Sequence, residues 1–195
     1  MTFLLILIAL VVIAGVIYVL MRNSIIASRN RVDEAWSGID VQLKRRHDLI
    51  PNLVESVKGY ATHERETFEQ VTRARSQAMS AQGVQETAQA ESQLTQARGG
   101  LRVVAEQYPE LRATENFQQL QNQLAELEDE IQAARRIYNS NVQSYNTKIQ
   151  QFPMSIVASQ GGFTDREFFE IADDSEREAP QVSFTQPASG GGPAA

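Results

Sequence analysis

The chain has 195 residues, no cysteine, and 18 lysine and arginine residues against 24 aspartate and glutamate, a net charge of −6. That balance excludes a nucleic-acid-binding surface built on a basic stripe, and the missing cysteine excludes a disulfide framework and thiolate metal sites. Beyond its first segment the length suits one soluble domain of ordinary size.

The chain opens on an apolar run. Phe3 to Leu20 carry no charged side chain, and the stretch from Thr2 to Met21, at 1.5 Å per residue, is long enough to cross a hydrocarbon core of about 30 Å as a helix. A cleaved signal peptide would need a basic start, a shorter apolar stretch and a small-residue cleavage site. Val19-Leu20-Met21-Arg22 is bulky, and no lysine or arginine precedes the run. Residues 1–22 therefore read as a retained transmembrane anchor. Arg22, Arg29 and Arg31, then Lys44, Arg45 and Arg46, follow the span. Positive charge on that side places the C-terminal part in the cytoplasm, on a single-pass protein of the inner (cell) membrane.

Residues 23–160 read as a helical bundle. Val32, Trp36, Ile39, Leu43, Ile50, Leu53, Val57 and Tyr60 fall on alternating steps of three and four, with Arg46 as the one seam position that carries a charge. Phe68, Val71 and Ala78 continue the stripe to Gly83. The pattern predicts a first helix over about residues 24–82, kinked at Pro51 and continuous with the anchor, since Asn23 to Asn30 contains neither glycine nor proline. Asp48 offers the alternative, capping a fresh helix with Pro51 in its first turn. Trp36 lies too far beyond the span for an interfacial aromatic belt and reads as core.

A second helix is expected over 84–107, with Ala88, Leu94, Leu101 and Val104 on one face, stopped at Tyr108-Pro109. A third runs over 114–152, opened by Thr114 as N-cap, with Phe117, Leu120, Leu124, Leu127, Ile131, Ala134, Tyr138, Asn141, Tyr145 and Phe152 on its seam. Seams of this length belong to bundles or coiled coils. Met154 to Ser159 suits a short helix and Gly161-Gly162 a turn. Residues 161–184 form a docking segment in which Phe163, Phe168 and Phe169 return to the bundle and Pro180 to Phe184 is extended. From Asp165 to Glu178 seven acidic residues face two arginines, nearly the whole charge imbalance, in a stretch that reads as a solvated linker or a site for basic proteins. The tail, 185–195, has the composition of a disordered end.

WSGIDVQLKRRHDLIPNLVESVKGYATHE from Trp36 to Glu64, EQYP from Glu106 to Pro109, Asn116-Phe117, RRIYNSNVQSYNTKIQQFP from Arg135 to Pro153, and the closing FFE and APQVSF elements together resemble the bacterial LemA family. The most specific elements are LKRRHDLIPNLV and the YN-x5-YN repeat. The resemblance implies a single-pass membrane protein with an antiparallel helical bundle. It implies no defined reaction, and one branch of the family is associated with magnetosome membrane formation. Ser159-Gln160-Gly161-Gly162 is more polar and glycine-rich than the apolar stretch typical of the family there.

Two constellations stand out. Arg45, Arg46, His47 and Asp48, just before Pro51, read either as an anion, lipid-headgroup or partner site or as helix capping and surface pairing. Arg46 is the exception, because a charge on a seam must be paired or face a polar channel, and Glu128 or Glu130 of the third helix are its candidate partners. Tyr138-Asn139 and Tyr145-Asn146 repeat one heptad apart with Asn141 near the seam, reading as buried packing that fixes register or as a polar recognition strip. His47 and His63, the only histidines, have no metal-binding spacing, and no nucleophile elbow or phosphate loop occurs. No catalytic residue, metal or cofactor is expected. The sequence points to an all-α, non-enzymatic, membrane-anchored protein that partners the lipid bilayer and its own copies as a scaffold. The alternative is a signalling or adaptor module in which Pro51 relays a membrane-linked state to cytoplasmic partners.

Overall fold

The computed structural model describes residues 1–61 and 63–170. Among them the chain is all helix, turn and extended segment: α1 (Thr2–Lys58), α2 (Arg65–Ser80), α3 (Val84–Glu106), α4 (Pro109–Arg112), α5 (Glu115–Gln150) and α6 (Met154–Gln160). The expected extended stretch at 180–184 and the tail lie outside the described residues.

α1 has 57 residues and so spans about 85 Å. Its residues up to Leu20 are all exposed and stand clear of the bundle, with the length and composition to cross a membrane. From Ile25 onward one stripe is buried: Val32, Ile39, Leu43, Arg46, Ile50, Leu53 and Val57. Apolar span and bundle helix are thus one uninterrupted helix.

The single helix expected over 24–82 is divided. α1 ends at Lys58, where the amides of Tyr60 and Ala61 both donate to Val57 O at 3.0 and 2.9 Å, and α2 folds back antiparallel. The apolar stripe stops at Tyr60 and resumes eight residues on, and Phe68 and Val71 rejoin the same core because they pack against the residues that precede the turn, in one cluster with Leu53 and Val57. Tyr60, expected on the seam, lies in the turn and is exposed. Asp48 is in mid-helix and starts nothing.

α3 returns alongside α2 through a cluster of small side chains, Ala74, Ala78 and Ala90 with Leu94. Pro109 does not merely stop α3; it opens the one-turn α4. Thr114 takes the N-cap position of α5, but its hydroxyl donates to Leu111 O at 2.7 Å rather than capping the helix.

α5 has 36 residues and α3 only 23, so α5 overruns the α2–α3 hairpin by about 20 Å. The molecule therefore has two storeys. Above, α1, α2, α3 and α5 form an antiparallel bundle around Ile50, Leu53, Val57, Phe68, Leu101 and Phe117. Below, α1 and α5 pack on each other through Ile25, Val32, Ile39, Ile131, Val142 and Ile149, and α6 with Phe169 completes that core. Phe152, expected on the α5 seam, lies past the helix end and is exposed.

Candidate functional site

The residues singled out in sequence fall into two separate places, one on each storey. In the upper storey the seam charge Arg46 is 2 % exposed and lies inside the bundle. Its guanidinium bonds Glu91 of α3 through Nη2 and Glu128 of α5 through Nη1, at 3.1 and 3.2 Å. Glu91 is fully buried and accepts a second bond from His47 Nε2 at 2.7 Å. Arg98 of α3 closes the group on Glu128 at 2.5 Å. Two buried charges are tolerated here because each meets an opposite one on a different helix.

Glu128 is thus the partner foreseen for Arg46. Glu130 pairs instead with the exposed Arg45, at 3.5 Å. Glu91 escaped sequence reasoning, although a signal existed. It lies three residues from both Ala88 and Leu94, on the buried stripe of α3, as Arg46 does on that of α1. Two seam charges of opposite sign on different helices ask for each other.

Burial brings the His47 pKa down to about 4, helped by the charges of Arg46 and Arg75 and opposed by Asp48 and Asp40. An adjacent carboxylate by itself favours the imidazolium, but Arg46 already balances Glu91. At neutral pH His47 is an uncharged donor. Burial also lowers the Arg46 pKa, against the pull of Glu128.

Pro51 completes this site. It has no N–H, and in a helix residue 51 would donate to the carbonyl of His47. That carbonyl accepts from Arg75 Nε of α2 at 2.6 Å instead. The proline's missing bond is replaced from a neighbouring helix, so α1 continues through it.

In the lower storey the repeated Tyr-Asn pairs hold an extended chain. Asn146 bonds both backbone groups of Arg166, accepting from its amide and donating to its carbonyl, each at 2.9 Å. One heptad earlier Asn139 does the same to Phe169, at 2.9 and 3.2 Å. Tyr145 donates to Thr164 O at 3.1 Å and Tyr138 to Glu167 O at 2.9 Å. The spacing has a metric reason. Seven helical residues advance about 10.5 Å and three extended residues about 10 Å, so a heptad on α5 matches every third residue of the segment. The segment runs antiparallel to α5. Burial raises both tyrosine pKa values, which keeps the phenols as neutral donors.

Two further contacts tie this segment to α1. Arg166 pairs with Asp33 at 2.9 Å, and Phe169 packs edge-on to Trp36 at 5.4 Å between ring centres, with Tyr138 on the same indole at 5.3 Å. Of the phenylalanines expected to dock, Phe169 is fully buried and Phe163 packs on the lower core, whereas Phe168 stays 39 % exposed. Asn141 faces α1 instead, donating to Arg31 O at 3.3 Å. Lys148, which sequence reasoning passed over, reaches Ser24 Oγ at 3.3 Å and Ser28 Oγ.

Among the described residues no group of three or more His, Asp or Glu side chains is placed to hold a metal ion. Most polar atoms of the upper site are spent on one another, although the buried Nε of Arg46 has no partner among the described residues. A depression of about 260 Å³ reaches His47 and Glu91 between Lys44, Ala81 and Thr87, but it brings no activated nucleophile to them. The arrangement joins four helices.

The LemA family profile matches residues 35–184. "Protein LemA" of Metamycoplasma hominis is 34 % identical over 146 residues, covering 74 % of this chain and 66 % of that protein. "Magnetosome protein MamQ 2" of Paramagnetospirillum magneticum is 25 % identical over 186 residues, with 82 % and 68 % covered. "Magnetosome protein MamQ" of Magnetospirillum gryphiswaldense is 24 % identical over 184 residues, with 80 % and 68 % covered. The chain thus spans about two thirds of the length of these relatives.

Proposed function

The chain belongs to the LemA family, and on that premise we propose that it is a non-enzymatic, membrane-anchored scaffold that self-assembles at the cytoplasmic membrane and organises or shapes it. The observation that carries this reading is α1 itself. One helix runs from the apolar span into the bundle and is bonded there to every other long helix, so a rotation or tilt of the span is transmitted to the whole body. Such a unit suits mechanical and organising work.

The bundle seam that first pointed to coiled-coil pairing is filled within the chain, α1 against α5. Self-association therefore rests on the unpartnered span and on exposed apolar residues such as Val41, Val103 and Ile137. Relatives named as magnetosome proteins fit a membrane setting. The bundle lies on the cytoplasmic side in this reading, from the basic flank of the span.

The test is the mass and image of the full-length protein in detergent and in nanodiscs. Ordered oligomers are expected; a strict monomer at cell-like concentration sinks the scaffold. The signalling alternative draws on the Pro51–His47–Arg75 junction, where α1 depends on α2 for a backbone bond. It predicts that Pro51→Ala changes cellular output while assembly is unaltered.

A further inference from the structure

The lower end of the bundle carries a second apolar feature that neither the core nor the Tyr-Asn ladder uses. Between Lys148 and Asp165 there is no charged residue, and this stretch makes the turn from α5 into α6. On its inner side Val157 and Ala158 are buried against α1, in the cluster that Met21 and Met154 join. Its outer side does the opposite. Phe152 is 81 % exposed, more than any other large apolar residue beyond the N-terminal span among the described residues, and Ile156 is 49 % exposed.

The height of this turn follows from contacts across the helix pair. Asn141 meets Arg31, and Lys148 meets Ser24 and Ser28. α5 and α1 are antiparallel, so Gln150, the last residue of α5, lies about 3 Å below Lys148; Phe152 follows just past it, and Met154 packs on the same cluster as Met21, where the apolar run of α1 ends. A large apolar side chain left in water at the surface of a protein marks an interaction site when it adjoins another apolar surface. Here the adjoining surface is the membrane span.

We propose that the α5–α6 turn is a second membrane contact, with Phe152 and Ile156 inserted in the interfacial zone of the bilayer that α1 crosses. The proposal rests on the membrane-spanning reading of α1. Its occupant is lipid because the turn adjoins the point where α1 enters the bilayer, and because sixteen successive uncharged residues can approach hydrocarbon without burying a charge. Two attachments close to each other, one spanning and one lying in the interface, fix the angle of the bundle to the membrane, which a single helix does not.

The chain has no cysteine, so Phe152→Cys in the full-length protein gives a unique site for an environment-sensitive fluorophore. The labelled protein is placed in phosphatidylcholine vesicles carrying spin-labelled lipids, quenching either near the headgroup or at the chain midpoint. Val12→Cys marks the span, Tyr60→Cys the far end of the bundle, and Ile156→Cys repeats the measurement on the turn. The expected result is several-fold stronger quenching at 152 and 156 than at 60 by the headgroup-proximal label, with position 12 quenched most by the midpoint label. Quenching at 152 and 156 no stronger than at 60, with position 12 still quenched, overturns the second contact and leaves the span intact. A blue-shifted but unquenched label at 152 overturns it in favour of a covering protein copy. An unquenched label at position 12 overturns the spanning reading and this proposal with it.

Discussion

Arg75 carries an unusual duty, because it completes a backbone bond in a helix to which it does not belong. Replacing it by methionine keeps most of its stem and removes the donor. The bond to His47 O is charge-assisted, 2.6 Å long and partly buried; losing it strands a carbonyl that Pro51 cannot serve. A charge-assisted bond of this kind contributes about 1.5–3 kcal/mol. Arg75→Met should therefore cost about 2 kcal/mol, a fall in Tm of roughly 4–8 °C for a folded body of this size. With Pro51→Ala in the background, residue 51 regains its N–H and can donate to His47 O, so the same Arg75→Met change should cost about 1 kcal/mol or less. The four proteins are compared as full chains in mild detergent, by thermal melts followed at the helical circular-dichroism band. A coupling of about 1 kcal/mol is the expected outcome. If Arg75→Met costs the same with proline or alanine at 51, within about 0.5 kcal/mol, the replacement of the proline's bond by Arg75 is refuted.

Arg46→Met leaves the buried Glu91 without its main counter-charge and should cost about 3–5 kcal/mol, whereas the double change Arg46→Met with Glu91→Leu should regain most of it; urea titration measures both. His47 binds its proton with a pKa of about 4 in the fold against 6.5 in the open chain, so the unfolded state takes up more protons between those values. The His47 contribution to stability is then complete above pH 6.5 and falls as pH drops toward 4, and His47→Gln should flatten that dependence in denaturation measured across the window. Asn139→Ala and Asn146→Ala each remove two bonds to the extended segment. Amide hydrogen exchange at Phe169 and Arg166 should accelerate by about ten- to a hundredfold, on the scale of about 1–3 kcal/mol for each site, with the upper storey unchanged.

The first twenty residues, the buried stripe of α1 and the seam of α5 were legible in sequence because each rests on local facts: a run without charge, and apolar residues at helical spacing. Arg46 was legible as an anomaly for the same reason, since a seam charge is visible without its partner. The Tyr-Asn repeat announced a heptad on α5, and the resemblance to the LemA family covered nearly the same residues that the family profile matches.

What local pattern could not supply was direction and partnership. The apolar stripe leaves off at Tyr60 and resumes at Phe68 as if one helix continued, because both sides of a hairpin bury their apolar faces in one core. Glu91 meets Arg46 and His47 across about 45 residues of sequence, and Arg75 meets the His47 carbonyl across 28. Such pairs are chosen by which helices end up adjacent, a property of the packed bundle alone. The segment that fills the Tyr-Asn ladder has no secondary structure of its own, and its extended form exists only because α5 offers paired amides at matching height. Sequence by itself determined an apolar helix leading an all-helical chain, since hydrophobic periodicity is written residue by residue. Its continuity with the first bundle helix was also legible, in the absence of glycine and proline from Asn23 to Asn30; the tertiary structure alone decided which helices lock it in place, because a buried charge is stable only where folding brings its opposite.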